Sequence, residues 1–248
     1  MLAVMVFGLI FQLGLLVVTG SYTSIPAQGV LPLIGAGISF TLANVGLYLA
    51  FQRGPVWLAA PLVACFSVFS VGIAIFGGAS FSIGQAAAIL SILAGITIIA
   101  VLADKELVPT EGKIWTVMTA LLAAAGFAAT FAFGQIATEM TNGLVSSVVM
   151  RVVAIAIILT GILALGLPLW PKAGTWRILA IMGVLDGTAI LSVVTAGNYP
   201  NPEYAAVATA IYGLPTIWLA SVFLKERINP KQWAGCLLVF SGIAYLAL

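Results

Sequence analysis

Residues 145–166 read VSSVVMRVVAIAIILTGILALG, an apolar run interrupted by one formal charge, Arg151. About 20 residues of this kind, rising about 1.5 Å each, carry a helix across the roughly 30 Å hydrocarbon core of a bilayer. Eight further runs have the same character, at 1–19, 30–51, 57–77, 84–103, 114–136, 178–197, 204–223 and 231–248. The breaks between them carry Gly, Pro, Asn and most of the charges. A closed β-barrel would show alternating segments of about ten residues, and none is present. The sequence predicts an all-α polytopic membrane helix bundle with nine transmembrane helices.

Composition excludes the alternatives. Of 248 residues, 62% are hydrophobic and 6% charged, with a mean hydropathy of +1.22. A soluble domain needs roughly 25% charged residues to wet its surface, and a disordered chain is poor in apolar residues. The net charge of +2 is too small to recruit nucleic acid. Cys65 and Cys236 lie inside apolar runs and read as small buried hydrophobes rather than a disulfide or a metal site. With no histidine, metal sites built on His and triads using a His base are out. No phosphate-cradling loop, catalytic dyad or metal-ligand spacing is found. Neither an enzyme nor a cofactor is expected. The first run is apolar from Met1-Leu2-Ala3-Val4 without a basic n-region, so it reads as a membrane helix rather than a signal peptide.

Charge placement predicts a topology. Threaded through nine spans, Arg53, Lys105, Lys113, Lys172, Arg177, Lys225, Arg227 and Lys231 all fall on one side and no basic residue lies in a loop on the other. Basic flanks stay cytoplasmic, which puts the first residues inside and Leu248 outside. Two helix starts are readable: Asn229-Pro230, and Asn201-Pro202-Glu203, each an N-cap acceptor ahead of a proline at the first helical position. Glu203 adds negative charge at the positive helix end.

The chain also repeats on itself at an offset of 147 residues. Phe76, Gln85, Ala87, Leu90, Gly95, Ile96 and Ala100 meet Phe223, Gln232, Ala234, Leu237, Gly242, Ile243 and Ala247, and Pro55 meets Pro202. Runs one to four then map onto runs six to nine, five spans apart. An odd separation inverts one half relative to the other, a pattern found in secondary transporters. The fifth run has no partner within the sequence, so a further span ahead of Met1 is expected.

The segment from Ala205 to Leu248 contains Ala-Ile-Tyr-Gly-Leu-Pro-Thr-Ile-Trp-Leu-Ala at 210–220, then Leu224-Lys225-Glu226-Arg227-Ile228, Gln232 and Gly235. It resembles the C-terminal end of EamA-type transporters of the drug/metabolite transporter superfamily. Arg53-Gly54-Pro55 through Ala60-Pro61 fits the first half, whereas Gly78-Ala79-Ser80 stands where a Glu-Arg turn is usual. The resemblance implies two inverted repeats, four plus five helices here of an expected five plus five. Residues 1–103 would form the first repeat, 104–113 a cytoplasmic linker and 114–248 the second. It further implies a small-molecule substrate, a lipid bilayer as surroundings and a bacterial-type inner membrane as location. Coupling to a proton or ion is compatible with it, and a monomer and a homodimer both fit. Family members are drawn with both termini cytoplasmic, opposite to the charge reading for Leu248.

Charges inside a membrane cost at least about 2.5 kcal/mol on insertion scales and face a partner or a cavity. Arg151 and Asp186 are the two placed well inside spans; their counterparts at the repeat offset are Val4 and Ser39. Counted along their helices, they lie roughly 9 Å apart along the membrane normal, within reach of a direct or water-bridged pair. A structural ion pair and a substrate or proton site both suit them. Gln12, Asn44, Tyr48 and Tyr212 are the softer polar candidates for a substrate or ion pathway, alongside Ser67, Thr130, Gln135, Thr188 and Thr216, whose default role is interhelical hydrogen bonding. Pro61 and Pro215 would free backbone carbonyls as hinges or cavity walls. Glu226 reads as an organiser of its turn. The functional expectation is a secondary transporter or permease moving a small organic metabolite by alternating access, and the alternative is a non-transporting membrane scaffold or assembly protein. With Cys65 and Cys236 replaced, single cysteines at Gly112 or Pro230 should react only with reagents that reach the cytoplasm. Cysteines at Ser24 or Asn142 should label from outside, and reversed labelling would sink this orientation and favour the family's usual drawing.

Overall fold

The computed structural model describes residues 1–78, 82–101, 110–169, 171, 174–226 and 228–246. Lys105, Lys172, Arg227, Ala79, Ser80 and the linker residues 104–109 lie outside them. The described residues form helices only: α1 Leu2–Thr19, α2 Ala27–Arg53, α3 Val56–Ala64, α4 Phe66–Phe76, α5 Ile83–Val101, α6 Thr110–Met140, α7 Gly143–Ala164, α8 Trp176–Thr195, α9 Glu203–Thr209, α10 Gly213–Phe223 and α11 Pro230–Leu246. Every apolar run overlaps, to within about four residues at each end, one of these helices or a consecutive pair. Among the described residues, 7 helices, taking α3–α4 and α9–α10 as continuous rods, are long and apolar enough to cross a membrane. The protein is a polytopic membrane helix bundle.

Two rods are broken, and the breaks follow from local chemistry. In the third run Pro61 has no N–H to give, and four residues later Cys65 steps out of the ladder: its N–H reaches Leu62, while its thiol takes the Pro61 carbonyl at 3.3 Å. In the eighth run a short 3₁₀ turn, Ala210–Tyr212, separates α9 from α10 just ahead of Pro215. The other helix ends are closed locally. Gly166 adopts φ 62 after α7, and the Leu167 and Gly166 N–H groups return to the Ile162 and Leu163 carbonyls. Asn229 accepts from Lys231 N–H while Gln232 reaches back to Asn229 N–H, a capping box at the start of α11. The expected cap at Asn201 is absent. Asn201 instead takes a left-handed φ of 53, and the helix starts at Glu203, whose own charge serves the N-terminus.

The chain divides into two compact units. The first holds Met1–Leu42 and Ala129–Pro202, where α1 lies along α7 and α8. The second holds Ala43–Ala128 and Glu203–Leu248. There α3 packs on α10 and α4 on α9, so the first half of each broken rod meets the second half of the other and the rods run antiparallel. Helices α5 and α11 also pack together antiparallel. A Cβ on Gly95 would come within 2.6 Å of the Gly235 carbonyl, and one on Gly242 within 2.7 Å of the Ala88 carbonyl. The small-residue stripe Ala87, Ser91 and Gly95 is therefore a close helix contact, with Ser91 donating to the Leu238 carbonyl at 3.1 Å.

The 147-residue offset falls on structural landmarks. It carries the starts of α3, α4 and α5 onto the starts of α9, α10 and α11. It carries Ser82, which with Gln85 forms a capping box on α5, onto Asn229 and Gln232. The contacts of Gly95 with Gly235 and Val239 become those of Gly242 with Ala88 and Ile92. Gly95→Leu and Gly242→Leu should each destabilise the protein by about 1–3 kcal/mol, because the added side chain meets backbone that cannot yield. Gly72, with open space around its Cβ position, provides the control. Gly72→Ala should be neutral or stabilising by up to about 1 kcal/mol, since it removes a helix-interior glycine. Thermal unfolding of the purified protein in detergent distinguishes them.

Candidate functional site

The site is built on the crossing of α1 and α8. Gly8, Gly183 and Gly187 let the two backbones approach, and a Cβ on Gly183 would lie 2.6 Å from the Val4 carbonyl. The Arg151 side chain from α7 extends into this crossing. A Cβ on Gly8 would come within 2.6 Å of Arg151 Nη1, so the missing side chain at Gly8 is the space the guanidinium occupies. Arg151 is wholly buried, and it is the one charged residue buried among those described.

Burial on this scale requires partners. Arg151 Nη1 donates to Asp186 Oδ2 at 2.7 Å, so the two charges distant along the sequence meet directly. Nε donates to Gln12 Oε1 at 3.2 Å. Gln12, also buried, donates through Nε2 to Ser147 Oγ at 2.7 Å and to the Gly187 carbonyl at 2.9 Å. The guanidinium carbon stands 5.4 Å from the centroid of the Phe40 ring, a cation–π contact. Arg151 Nη2 is buried with no hydrogen-bond partner among the described residues. Asp186 retains 33% of its side-chain surface. An aqueous ion pair would be worth little; this one holds a cation in an apolar interior and leaves its anion partly exposed.

Of the residues singled out from sequence, the structure brings together Arg151, Asp186 and Gln12. Asn44, Tyr48, Tyr212, Pro61, Pro215 and Glu226 belong to the other compact unit. Asn44 and Pro61 are buried there. Glu226 has a clear role: its two carboxylate oxygens accept from Val56 N–H at 2.9 Å and Trp57 N–H at 3.2 Å, capping α3 behind Pro55. Lys225, in a left-handed conformation with φ 55, turns the chain to allow it. Thr188 and Thr216 bond to carbonyls of their own helices at Val184 and Tyr212 rather than across helices. Gln135 does cross, donating to the Val193 and Pro202 carbonyls. Ser147, Phe40 and Gly8 were missed. The spacing Ser147-x-x-x-Arg151 places the serine one turn from the arginine, a usable signal.

A separate cavity of 490 Å³ beside α1, lined by Val6, Ile10, Ile155, Leu159 and Trp176 among others, holds none of these polar groups. It offers nothing to orient a polar solute. Replacing the cap, Glu226→Ala should destabilise the protein by about 0.5–2 kcal/mol and Glu226→Gln by less, because the amide keeps one acceptor but loses the charge at the helix end. Thermal unfolding in detergent measures both.

The comparisons with known proteins agree with this architecture. A solved crystal structure, described simply as that of a protein, superposes with a TM-score of 0.72 at 13% identity, covering 99% of this chain and 85% of that one. That likeness shows the fold. A Sinorhizobium sp protein, "Uncharacterized transporter in cobO 3'region", is 27% identical over 141 residues, 52% of this chain and 94% of its own length. The model of the EamA-like transporter family matches residues 114–248, more than half of the chain. With its apolar helical bundle and that match, this multi-pass membrane protein belongs to the EamA-like transporter family of the drug/metabolite transporter superfamily.

Proposed function

We propose that this membrane transporter is a secondary transporter, moving a small organic metabolite across a bacterial-type inner membrane by alternating access, with Arg151, Asp186 and Gln12 at its solute site. The observation that carries this reading is the buried guanidinium tied to a partly accessible carboxylate within apolar helices. A charge at this depth is costly unless it serves a site or a partner. The paired breaks at Cys65 and Ala210–Tyr212 support it as well, because broken helices at matching positions of two halves mark transporter cores. The matching helix starts, the matching capping boxes and the antiparallel contacts support two inverted halves, with residues 1–103 in one and 114–248 in the other and 104–113 linking them. In that arrangement one half rocks against the other and exposes the site to each side in turn. Asn44, Tyr48 and Tyr212 are proposed for the pathway, and Pro61 and Pro215 for the bends that let the broken rods flex.

Reconstituted vesicles and a panel of radiolabelled small metabolites test the reading. Asp186→Asn should remain folded and abundant yet lose flux, and Arg151→Gln with Asp186→Asn should stay inactive. A purely structural pair gives another pattern: each single substitution lowers folded protein, removal of one partner costing about 3–5 kcal/mol, and the neutral double variant recovers both amount and flux. Normal flux by a well-folded Asp186→Asn protein overturns the proposal.

A further inference from the structure

Resting on the transporter reading above, we infer that Arg151 is a receptor for a monocarboxylate, that Asp186 is its resident stand-in, and that the solute binds together with one proton. The guanidinium offers five N–H donors in a fixed fork, and a carboxylate satisfies it best through two parallel bonds. Here the fork is half used. Asp186 engages Nη1 through Oδ2, Gln12 engages Nε, and Nη2 is buried without an acceptor among the described residues. A pair evolved only to neutralise charge would be expected to close both arms, since a buried unmet donor is destabilising. The unmet nitrogen lies beside a carboxylate that is held by one oxygen and remains a third exposed. Gly8, Phe40 and Gln12 fix the guanidinium from three sides. The cation is therefore rigid and its occupant exchangeable.

Charge balance selects the ligand. Arg151 is the one buried charged residue among those described, and with ionised Asp186 the site is neutral. A monocarboxylate entering as an anion restores neutrality if Asp186 takes up one proton: the proton bonds to the Asp186 carboxylate, the salt bridge to Nη1 gives way, and the solute carboxylate occupies Nη1 and Nη2. A phosphate dianion or a dicarboxylate would leave a buried negative charge uncompensated. The groups facing Asp186 keep this exchange simple. Helix α7 presents Arg151, whose guanidinium is held in turn by Gln12 and Gly8 of α1, and Glu139 near the end of α6 is exposed. On α8 itself the nearest charge in sequence is Arg177, more than two turns away. Solute and proton thus bind together and travel in the same direction.

The test uses the purified full chain in detergent, with acetate, benzoate and lactate as probes and succinate, inorganic phosphate and choline as comparators. Thermal unfolding at about pH 5.5 and about pH 7.5 should show stabilisation by at least one monocarboxylate, stronger at the lower pH, where the probes are still mainly ionised. Where Asp186 must gain a proton to admit the anion, affinity should be higher at the lower pH. Calorimetry in buffers of different ionisation enthalpy should count one proton taken up per carboxylate. Asp186→Asn should bind the same probe without pH dependence or proton uptake, Asp186→Glu should preserve both, and Arg151→Gln should lose binding. Four results overturn the inference: no stabilisation by any monocarboxylate, a preference for phosphate or succinate, equal affinity at both pH values in the natural protein, or pH dependence that survives in folded Asp186→Asn. If Asp186→Asn does not fold, the proton count of the natural protein and of Asp186→Glu decides alone. Flux of an uncharged or cationic solute without carboxylate binding would sink this inference and leave the transporter reading standing. Carboxylate binding without flux in vesicles would do the reverse.

Discussion

Burying a guanidinium among apolar helices sets conditions that reach well beyond Arg151. The cation must find acceptors, and neutral helices offer few, because their carbonyls are already committed to their own ladders. Three helices meet the demand together. Helix α8 supplies Asp186, α1 supplies Gln12, and α7 places Ser147 where it anchors the far side of the Gln12 amide. Space must be found as well, and glycines at 8, 183 and 187 provide it by bringing α1 and α8 into backbone contact. A larger residue at Gly8 would fill the place of the guanidinium itself. The packing of the first unit and the chemistry of the site are therefore one constraint, met by the same few residues.

The second constraint is the lipid, which offers no hydrogen bonds to exposed backbone groups. The chain answers it end by end. Ser82 with Gln85 and Asn229 with Gln232 close two helix starts, Asn142 closes α7 by accepting from Val145 N–H, and Glu226 closes α3 from a distant turn. Many hydroxyls also turn back to carbonyls one helical turn earlier, as at Thr41, Thr138, Thr160 and Thr188. Such residues look like pathway linings in a list of membrane-depth polar groups. Thr188 is spent in this way on its own helix, and Asn44, Tyr48, Ser67, Tyr212 and Thr216 belong to the other compact unit, so few of the soft polar candidates converge on Arg151.

What the sequence revealed and what it hid divide along physical lines. Long apolar runs are one-dimensional signals, so the helices, and with them the membrane class, were readable. A charge in such a run is equally plain, and Arg151 and Asp186 could be paired from depth alone. Gln12 was visible as a polar residue, but its bonds to residues 135 and 139 positions away depend on helix rotation, which periodicity does not resolve in a segment apolar on all sides. The broken rods were signalled by Pro61 and Pro215, yet the first break falls four residues after Pro61, at Cys65, where the thiol takes the Pro61 carbonyl and the backbone N–H turns to Leu62. Asn201-Pro202 imitates a capping sequence but yields a left-handed turn, with Glu203 bringing charge to the helix end and Gln135 holding the Pro202 carbonyl.

The offset that aligns the helix starts does not align the chemistry, and physics gives a reason. Positions 147 residues before Arg151 and Asp186 hold Val4 and Ser39, both buried. A second guanidinium in a matching place would need its own carboxylate, its own glycine-lined space and its own amide. Each added charge would also repel its like through a low-dielectric interior, where screening is weak. Caps behave the same way: Glu226 guards α3, whereas the equivalent helix α9 carries its own acid at Glu203. The helix starts and close contacts that recur at this offset preserve packing, because packing depends on shape and small residues fit the same close approach in both places. On the proposed reading, a single charged centre suits a solute that is itself asymmetric, with one ionised end to recognise. On the proposed reading of two inverted halves, the scaffold can repeat because its demands are steric, and the site stands once because its demands are electrostatic.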